Sequence, residues 1–203
     1  MNERICALDI EDRGNLDAEM TALVKGIEKK YGFMPHFVQL FATDNARLRA
    51  FMTQYMELMR RDSGLTPLEH EMIALVSAAT NGCVYCTAHH GALMRAETGD
   101  PLFAEYLSRN YRMADLSPRH RAMLDFVVKV NRDAEQITDA DRQLLRDAGF
   151  DDEAIFMICS TAAFYAGANR LAQAVGLRPS PRYLEMYREP REAGRRARGA
   201  AAG

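Results

Sequence analysis

Two cysteines and two histidines crowd into one short stretch, Asn81-Gly82-Cys83-Val84-Tyr85-Cys86-Thr87-Ala88-His89-His90, of a chain that has four cysteines and five histidines in all. On a helix turning about 100° per residue, Cys83 and Cys86 lie about 60° apart, and His90 falls between them one turn beyond Cys86. The three side chains share a face. His89 falls about 60° past Cys86, so His90 is the better placed partner and His89 is expected to be a supporting or surface residue. Asn81-Gly82 reads as a helix stop and Cys83 as the start of the next helix, where unpaired N–H groups and the macrodipole favour a thiolate. His90 is placed to take the proton of Cys86. Two cysteines three apart also fall within the Cα separation of about 4.4–6.8 Å that a disulfide tolerates.

Three readings stay open at this level. The pair is a redox couple, or it is part of a structural zinc site with His89 or His90, or it is an accident of a helix start. The zinc reading needs a fourth ligand, and His36, His70, His120 and Cys159 are isolated candidates whose plainer role is packing or surface exposure. Cys6 and Cys159 stand in apolar surroundings and read as packed thiols.

The preceding helix contributes two glutamates with different duties. Thr66-Pro67-Leu68-Glu69 is a capping box with proline at the first helical position, which accounts for Glu69. Glu71 has no such duty and flanks the apolar stripe of Leu68, Met72, Leu75, Val76 and Ala79. It is either a proton relay at the edge of the core or a solvated first-turn acid.

The elements that position these groups follow from periodicity. Helical spacing recurs along the chain and hairpin-bounded strand alternation is absent, so the fold is all-α. Helices are expected over 16–31, stopped by Gly32, over 35–41, and over 45–61 with Leu48, Phe51, Met52, Tyr55, Met56 and Met59 as a buried stripe. Methionines at that spacing are core filler or a subunit contact rather than a cofactor face. Further helices run over 66–80, from Cys83 to position 97, from Ser117 through Val130, and from a Thr138-Asp139-Ala140-Asp141 cap. A long one from Asp151 or Asp152 to Val175 is apolar nearly all round, as suits a central or interface helix. A short amphipathic piece follows over 183–187. Residues 1–188 form one helical domain, and 189–203, with no core-forming pattern, are expected to be a disordered tail.

One internal echo runs through the chain. The stretch from Thr66, TPLEHEMIALV, aligns with the stretch from Ser117, SPRHRAMLDFV, as a worn duplication would. Carried onward, the same register sets Ala122 opposite Glu71, Ala134 opposite Cys83 and Ile137 opposite Cys86, which confines the chemistry to the first copy.

At 203 residues and 48% hydrophobic, the chain is long enough for a real core. With 26 basic against 28 acidic residues, no global field favours nucleic acid or an anionic membrane. No segment approaches the roughly 20 apolar residues of a membrane span, and the N-terminus lacks a signal-peptide pattern, so a cytoplasmic protein is expected. Reducing conditions there make a close cysteine pair catalytic or metal-binding rather than structural.

Glu71, Cys83, Cys86 and His90 together resemble the Glu…Cys-x-x-Cys-x-x-x-His signature of the alkylhydroperoxidase D-like proteins of the carboxymuconolactone decarboxylase family. The likeness extends to GFMPHFVQLFATDNARLRAF before the motif and to LSPRHRAMLDFVVKVNRD, LRDAGFDDEAIFMICSTAAF and NRLA after it, which resemble the peroxidase-related branch over residues 32–177. The resemblance implies an all-α homo-oligomer that reduces an organic hydroperoxide, or a partner protein's disulfide, and is itself re-reduced by a dithiol. It implies no flavin, haem or metal cofactor. Cys86 would attack the peroxide, Cys83 would resolve it, and Glu71 with His90 would relay protons. The helix dipole favours Cys83 as the thiolate whereas His90 favours Cys86. Some relatives with a working relay carry histidine between the cysteines where this chain has Tyr85, which supplies a hydroxyl to the pocket or packs. Lactone decarboxylation, which names the wider family, does not depend on such a pair. A redox sensor that binds a partner without peroxide turnover is the remaining alternative.

Overall fold

The computed structural model describes residues 4–10, 15–59 and 64–189. Among these, the elements are α1 (Ala18–Tyr31), α2 (His36–Phe41), α3 (Asn45–Leu58), α4 (Pro67–Thr80), α5 (Val84–Thr98), α6 (Pro101–Asn110), α7 (Pro118–Arg132), α8 (Asp139–Asp147), α9 (Asp152–Ala174) and α10 (Pro181–Glu185). Short 3₁₀ turns follow α6 at Tyr111–Met113 and α7 at Ala134–Gln136, and the described residues contain no strand. The fold is all-α, as periodicity required. The expected tail beyond 189 and the expected end of the third helix at 61 lie outside the described residues.

Helix ends follow local chemistry. Asp17, Asp44, Asp100 and Asp151 each accept a backbone N–H at the start of α1, α3, α6 and α9, and Thr66 and Ser117 do so ahead of the prolines that open α4 and α7. Helix α6 is an addition to the sequence reading. Its Asp100-Pro101 start is the same signal that marks α4 and α7.

Helix α4 is the axis of the molecule. Met72, Ile73, Ala74, Leu75 and Ala78 are wholly buried because α5, α6, α7 and α9 pack around it. Truncating a side chain such as Leu75 to alanine is expected to cost about 2–5 kcal/mol in such a setting. Met94, Leu107, Met123, Leu124, Leu145 and Ile158 complete this main core.

A second layer, α1 to α3, has its own small core of Met20, Leu48 and Met52 and leans on α9 through α3. Met56 departs from the expected stripe and is 52% exposed. At about 100° per residue the buried arc runs from Leu58 through Tyr55 and Leu48 to Met52, and Met56 falls outside it. Between the layers lies a third cluster that holds Cys83, Tyr85 and Cys86 together with Leu40, Ala172 and Tyr183. Buried Arg95 of α5 donates to the carbonyls of Tyr183 and Met186, fastening α10 over this cluster. No helix of the described residues is long and apolar enough to cross a membrane.

Candidate functional site

The cysteines are positioned by the turn between α4 and α5. Gly82 adopts φ 65°, a left-handed conformation that favours glycine, and lets the N–H of Gly82 reach the carbonyl of Ala79 (3.2 Å) and that of Cys83 reach Ala78 (3.0 Å). This pair of bonds satisfies the last carbonyls of α4 and delivers Cys83 to the N-cap of α5. Its sulfur accepts the Cys86 N–H at 3.3 Å, in the place a serine or aspartate oxygen usually takes. The two cysteines form a disulfide with Cα atoms 5.3 Å apart. Asn131 of α7, its amide also held by the Val127 carbonyl of its own helix (2.8 Å), braces the turn by accepting from Asn81 (2.6 Å) and donating to Ser77 (3.1 Å), while Gln173 of α9 donates to the Asn81 carbonyl.

One turn past Cys86, His90 meets Glu71 across the α4–α5 interface, Nδ1 to Oε2 at 3.0 Å, with 8% and 16% of the side chains exposed. An ionised carboxylate only accepts, so Nδ1 donates in this bond, and in the neutral form of the ring Nε2 is the acceptor. Glu71 is therefore not a solvated first-turn acid.

Glu69, two residues earlier, has the opposite fate. It accepts from the Thr66 N–H (2.8 Å), the Thr66 hydroxyl (3.1 Å) and Arg119 Nε (2.8 Å), and is 1% exposed. Burial raises its carboxyl, but Thr66 and Arg119 outweigh that and hold it below the usual carboxylate range. Arg119 also donates to the Gly149 carbonyl and lies over the Phe150 ring, so this ion pair binds α4 to α7 and to the turn between α8 and α9. Of the two glutamates, Glu71 is the one paired with His90 one turn beyond Cys86, and Glu69 ties α4 to α7.

His36 bonds the Arg178 carbonyl and His120 lies 3.8 Å from Glu69, on elements apart from the cysteines. Among the described residues no group of three or more His, Cys, Asp or Glu is arranged to hold a metal ion. Cys6 is buried and free, whereas Cys159 is free and half-buried, with burial pushing its thiol up.

A cavity of about 150 Å³ opens beside Cys86 where the α1–α3 layer meets α5 and α9. Cys86, His89 and His90 line it, and Cys83, wholly buried, does not. The remaining wall is mostly aromatic, contributed by Tyr31, Phe37, Phe51, Tyr55, Phe164 and Tyr165. Burial pushes the Tyr55 phenol up to about 12, with the Glu71 charge adding to it.

His89 is a wall residue rather than a surface one. It stacks parallel to Tyr85 at 6.2 Å and meets Tyr183 and His90 edge-on at 4.8 Å. Although His89 as a whole is only half-buried, its Nδ1 is sealed from solvent without a partner; burial, then His90 and Lys30, push it well below the usual histidine range. It is neutral near pH 7. Tyr85 packs in the same wall with its hydroxyl accepting the Phe37 N–H at 3.0 Å. Pro35 gives α2 no side-chain cap, and the Tyr85 hydroxyl fills that need.

Nothing in the sequence marks the tyrosines of α1, α3 and α9 as cavity residues, and Tyr55 reads there only as part of the buried stripe. Each reads as a core aromatic on an apolar stripe, and the one available signal was a polar tip where the stripe needs none.

The carboxymuconolactone decarboxylase family profile matches residues 46–104. An uncharacterized peroxidase-related protein from Silicibacter sp. TM1040 is 37% identical, with a TM-score of 0.87 over 92% of this chain and 97% of its own. A second uncharacterized peroxidase-related protein, described as an alkylhydroperoxidase AhpD core, from Ralstonia eutropha JMP134, is 35% identical, with a TM-score of 0.87 over 93% of this chain and 100% of its own. The debrominase Bmp8 shares the fold at 17% identity, with a TM-score of 0.72 over 94% of this chain and 99% of its own. No curated protein matches the chain.

Proposed function

Because the chain belongs to the alkylhydroperoxidase D-like, peroxidase-related branch of the carboxymuconolactone decarboxylase family, we propose that it is a thiol-dependent hydroperoxide reductase working through Cys86 and Cys83. The observation that carries this reading is the Glu71–His90 hydrogen bond one helical turn from a cysteine that faces a cavity. In the reduced protein, His90 Nε2 takes the proton of Cys86, and Glu71 holds the ring and stabilises the imidazolium. The α5 N-terminus adds its partial positive charge to the thiolate.

The Cys86 thiolate attacks the terminal oxygen of the hydroperoxide. The O–O bond breaks, its electron pair goes to the carbon-bound oxygen, and the proton on His90 follows to give an alcohol. Cys86 is left as a sulfenic acid. The Cys83 thiol then attacks that sulfur, water leaves, and the Cys83–Cys86 disulfide forms without backbone rearrangement, the Cα atoms standing 5.3 Å apart. A dithiol returns the pair to the reduced state by exchange. Cys86 is assigned the attack because it lines the cavity and Cys83 does not. Since Tyr85 is engaged with Phe37, the relay in this chain rests on His90 and Glu71 alone.

Turnover tests the assignment. Substoichiometric protein with excess dithiothreitol and an organic hydroperoxide is expected to consume many equivalents of peroxide. Consumption that halts after one equivalent per subunit would instead identify a redox sensor.

A further inference from the structure

The relay leaves the hydroxyl of Tyr165, a residue of the cavity wall, unused. Tyr165 lies on α9 and is 4% exposed; its ring stands edge-on to His90 at 4.8 Å and lines the cavity, and its Oη has no hydrogen-bond partner. A buried hydroxyl without a partner is unfavourable, and on a cavity wall a bound ligand can supply the missing acceptor. The cavity around it has a definite shape. Tyr31, Phe37, Phe51, Tyr55 and Tyr85 present ring surfaces, with Phe37 and Phe51 centred 5.2 Å apart. An apolar space of about 150 Å³ admits one benzene ring.

Resting on the peroxidase reading above, we propose that the cavity is the binding site of a compact arylalkyl hydroperoxide, its ring held among the aromatic walls and its carbon-bound oxygen accepting a hydrogen bond from Tyr165 Oη. The walls recognise the ring by apolar burial and edge or offset contacts, which hydrogen peroxide cannot make. The hydroxyl recognises the oxygen on which negative charge develops as Cys86 takes the terminal one. The Cys86 sulfur gains an S–O bond and loses two electrons to the peroxide, and the O–O bond breaks. The proton earlier passed from Cys86 to His90 ends on the departing alcohol. Tyr165 donates a hydrogen bond and keeps its proton. Burial, followed by the Glu71 charge and the Tyr55 and Tyr31 phenols, pushes it well above the usual phenol range, so it is a donor throughout the working pH range.

The test is a stopped-flow single turnover of reduced protein with cumene hydroperoxide and with hydrogen peroxide, each rate divided by that of a free thiol. The normalised rate is expected to favour cumene hydroperoxide at least about tenfold, and Tyr165→Phe to remove about tenfold of the cumene hydroperoxide rate. Alkylation of Cys86 by iodoacetamide is expected to keep its rate in Tyr165→Phe, which a general distortion of the site would change. In a second measurement 2-phenyl-2-propanol, the product alcohol, is expected to protect reduced Cys86 from alkylation in the wild type, and about tenfold less well in Tyr165→Phe. Peroxide reduction with no preference for the ring, or with Tyr165→Phe unchanged, overturns the binding site and leaves the peroxidase reading standing. Protection by the alcohol without reduction of any peroxide supports the site and removes the peroxidase reading.

Discussion

The α4–α5 and α7–α8 hairpins begin alike and end differently. Thr66-Pro67 and Ser117-Pro118 open α4 and α7 with the same cap, each hydroxyl accepting an N–H three residues on at 3.2 Å. The two helices then pack against each other. They part at the turn. Gly82, left-handed, swings Cys83 onto the N-cap of α5, whereas Asp133, its counterpart in register, has φ -139° and leads into the 3₁₀ turn that holds Ala134 where the first copy has Cys83. Opposite His90 the register sets Asp141, which closes a cap on Thr138 and accepts from Lys129 Nζ at 2.7 and 2.8 Å. Lys129 and then Thr138 hold that carboxyl at about 2. Polar groups in the second hairpin satisfy one another, while in the first a cysteine and a histidine face a cavity. One helical start thus leads, by the geometry of a single turn, either to cysteines beside a cavity or to a closed set of polar contacts.

The contrast predicts a ranked set of outcomes. Cys86→Ser is expected to abolish peroxide turnover and disulfide formation, while Ala134→Ser, in the second hairpin, leaves turnover intact in the dithiothreitol assay. Glu71→Gln is expected to slow single-turnover oxidation about a hundredfold, the scale of a lost acid–base relay, with the melting temperature nearly unchanged.

Glu69→Gln should show the reverse, losing about 3 kcal/mol of stability by denaturant titration because Arg119 loses its charged partner, while the oxidation rate of the folded protein holds. Its pH dependence has a definite sign. Glu69 is held below the usual carboxylate range in the fold, so its contribution is present above the unfolded value and is lost as pH falls through the folded one. Melts of wild type and Glu69→Gln are thus expected to differ most near neutrality and to converge on acidification.

Gly82→Ala is expected to cost about 1 kcal/mol through its positive φ, against a few tenths for Asp133→Ala, measured by the same titration.

The legible parts of the molecule are those whose signals are local. Capping chemistry located α4, α7 and α9 closely, and angular spacing anticipated that Cys86 and His90 face the same way, toward one cavity, with Cys83 bonded to Cys86 behind them. Sequence pattern also separated Glu69 from Glu71, since a capping box assigns one carboxylate and leaves the other free. The cavity was illegible because its walls come from Tyr31, Tyr55 and Tyr165, on three helices far apart in the chain, each indistinguishable from core filler until α1–α3 fold over α5 and α9. Met56 lies outside the buried stripe for a related reason. Helical spacing gives the width of a stripe but not which edge a neighbouring helix covers. Helix α6 escaped although Asp100-Pro101 announces it by the rule that found its neighbours.

Mass-spectrometric disulfide mapping of fully reduced, metal-free protein, before and after one equivalent of an organic hydroperoxide, tests the central claim most directly. A Cys83–Cys86 bond is predicted to appear in near-stoichiometric yield, with Cys6 and Cys159 still free. Survival of both thiols at 83 and 86 would contradict the account.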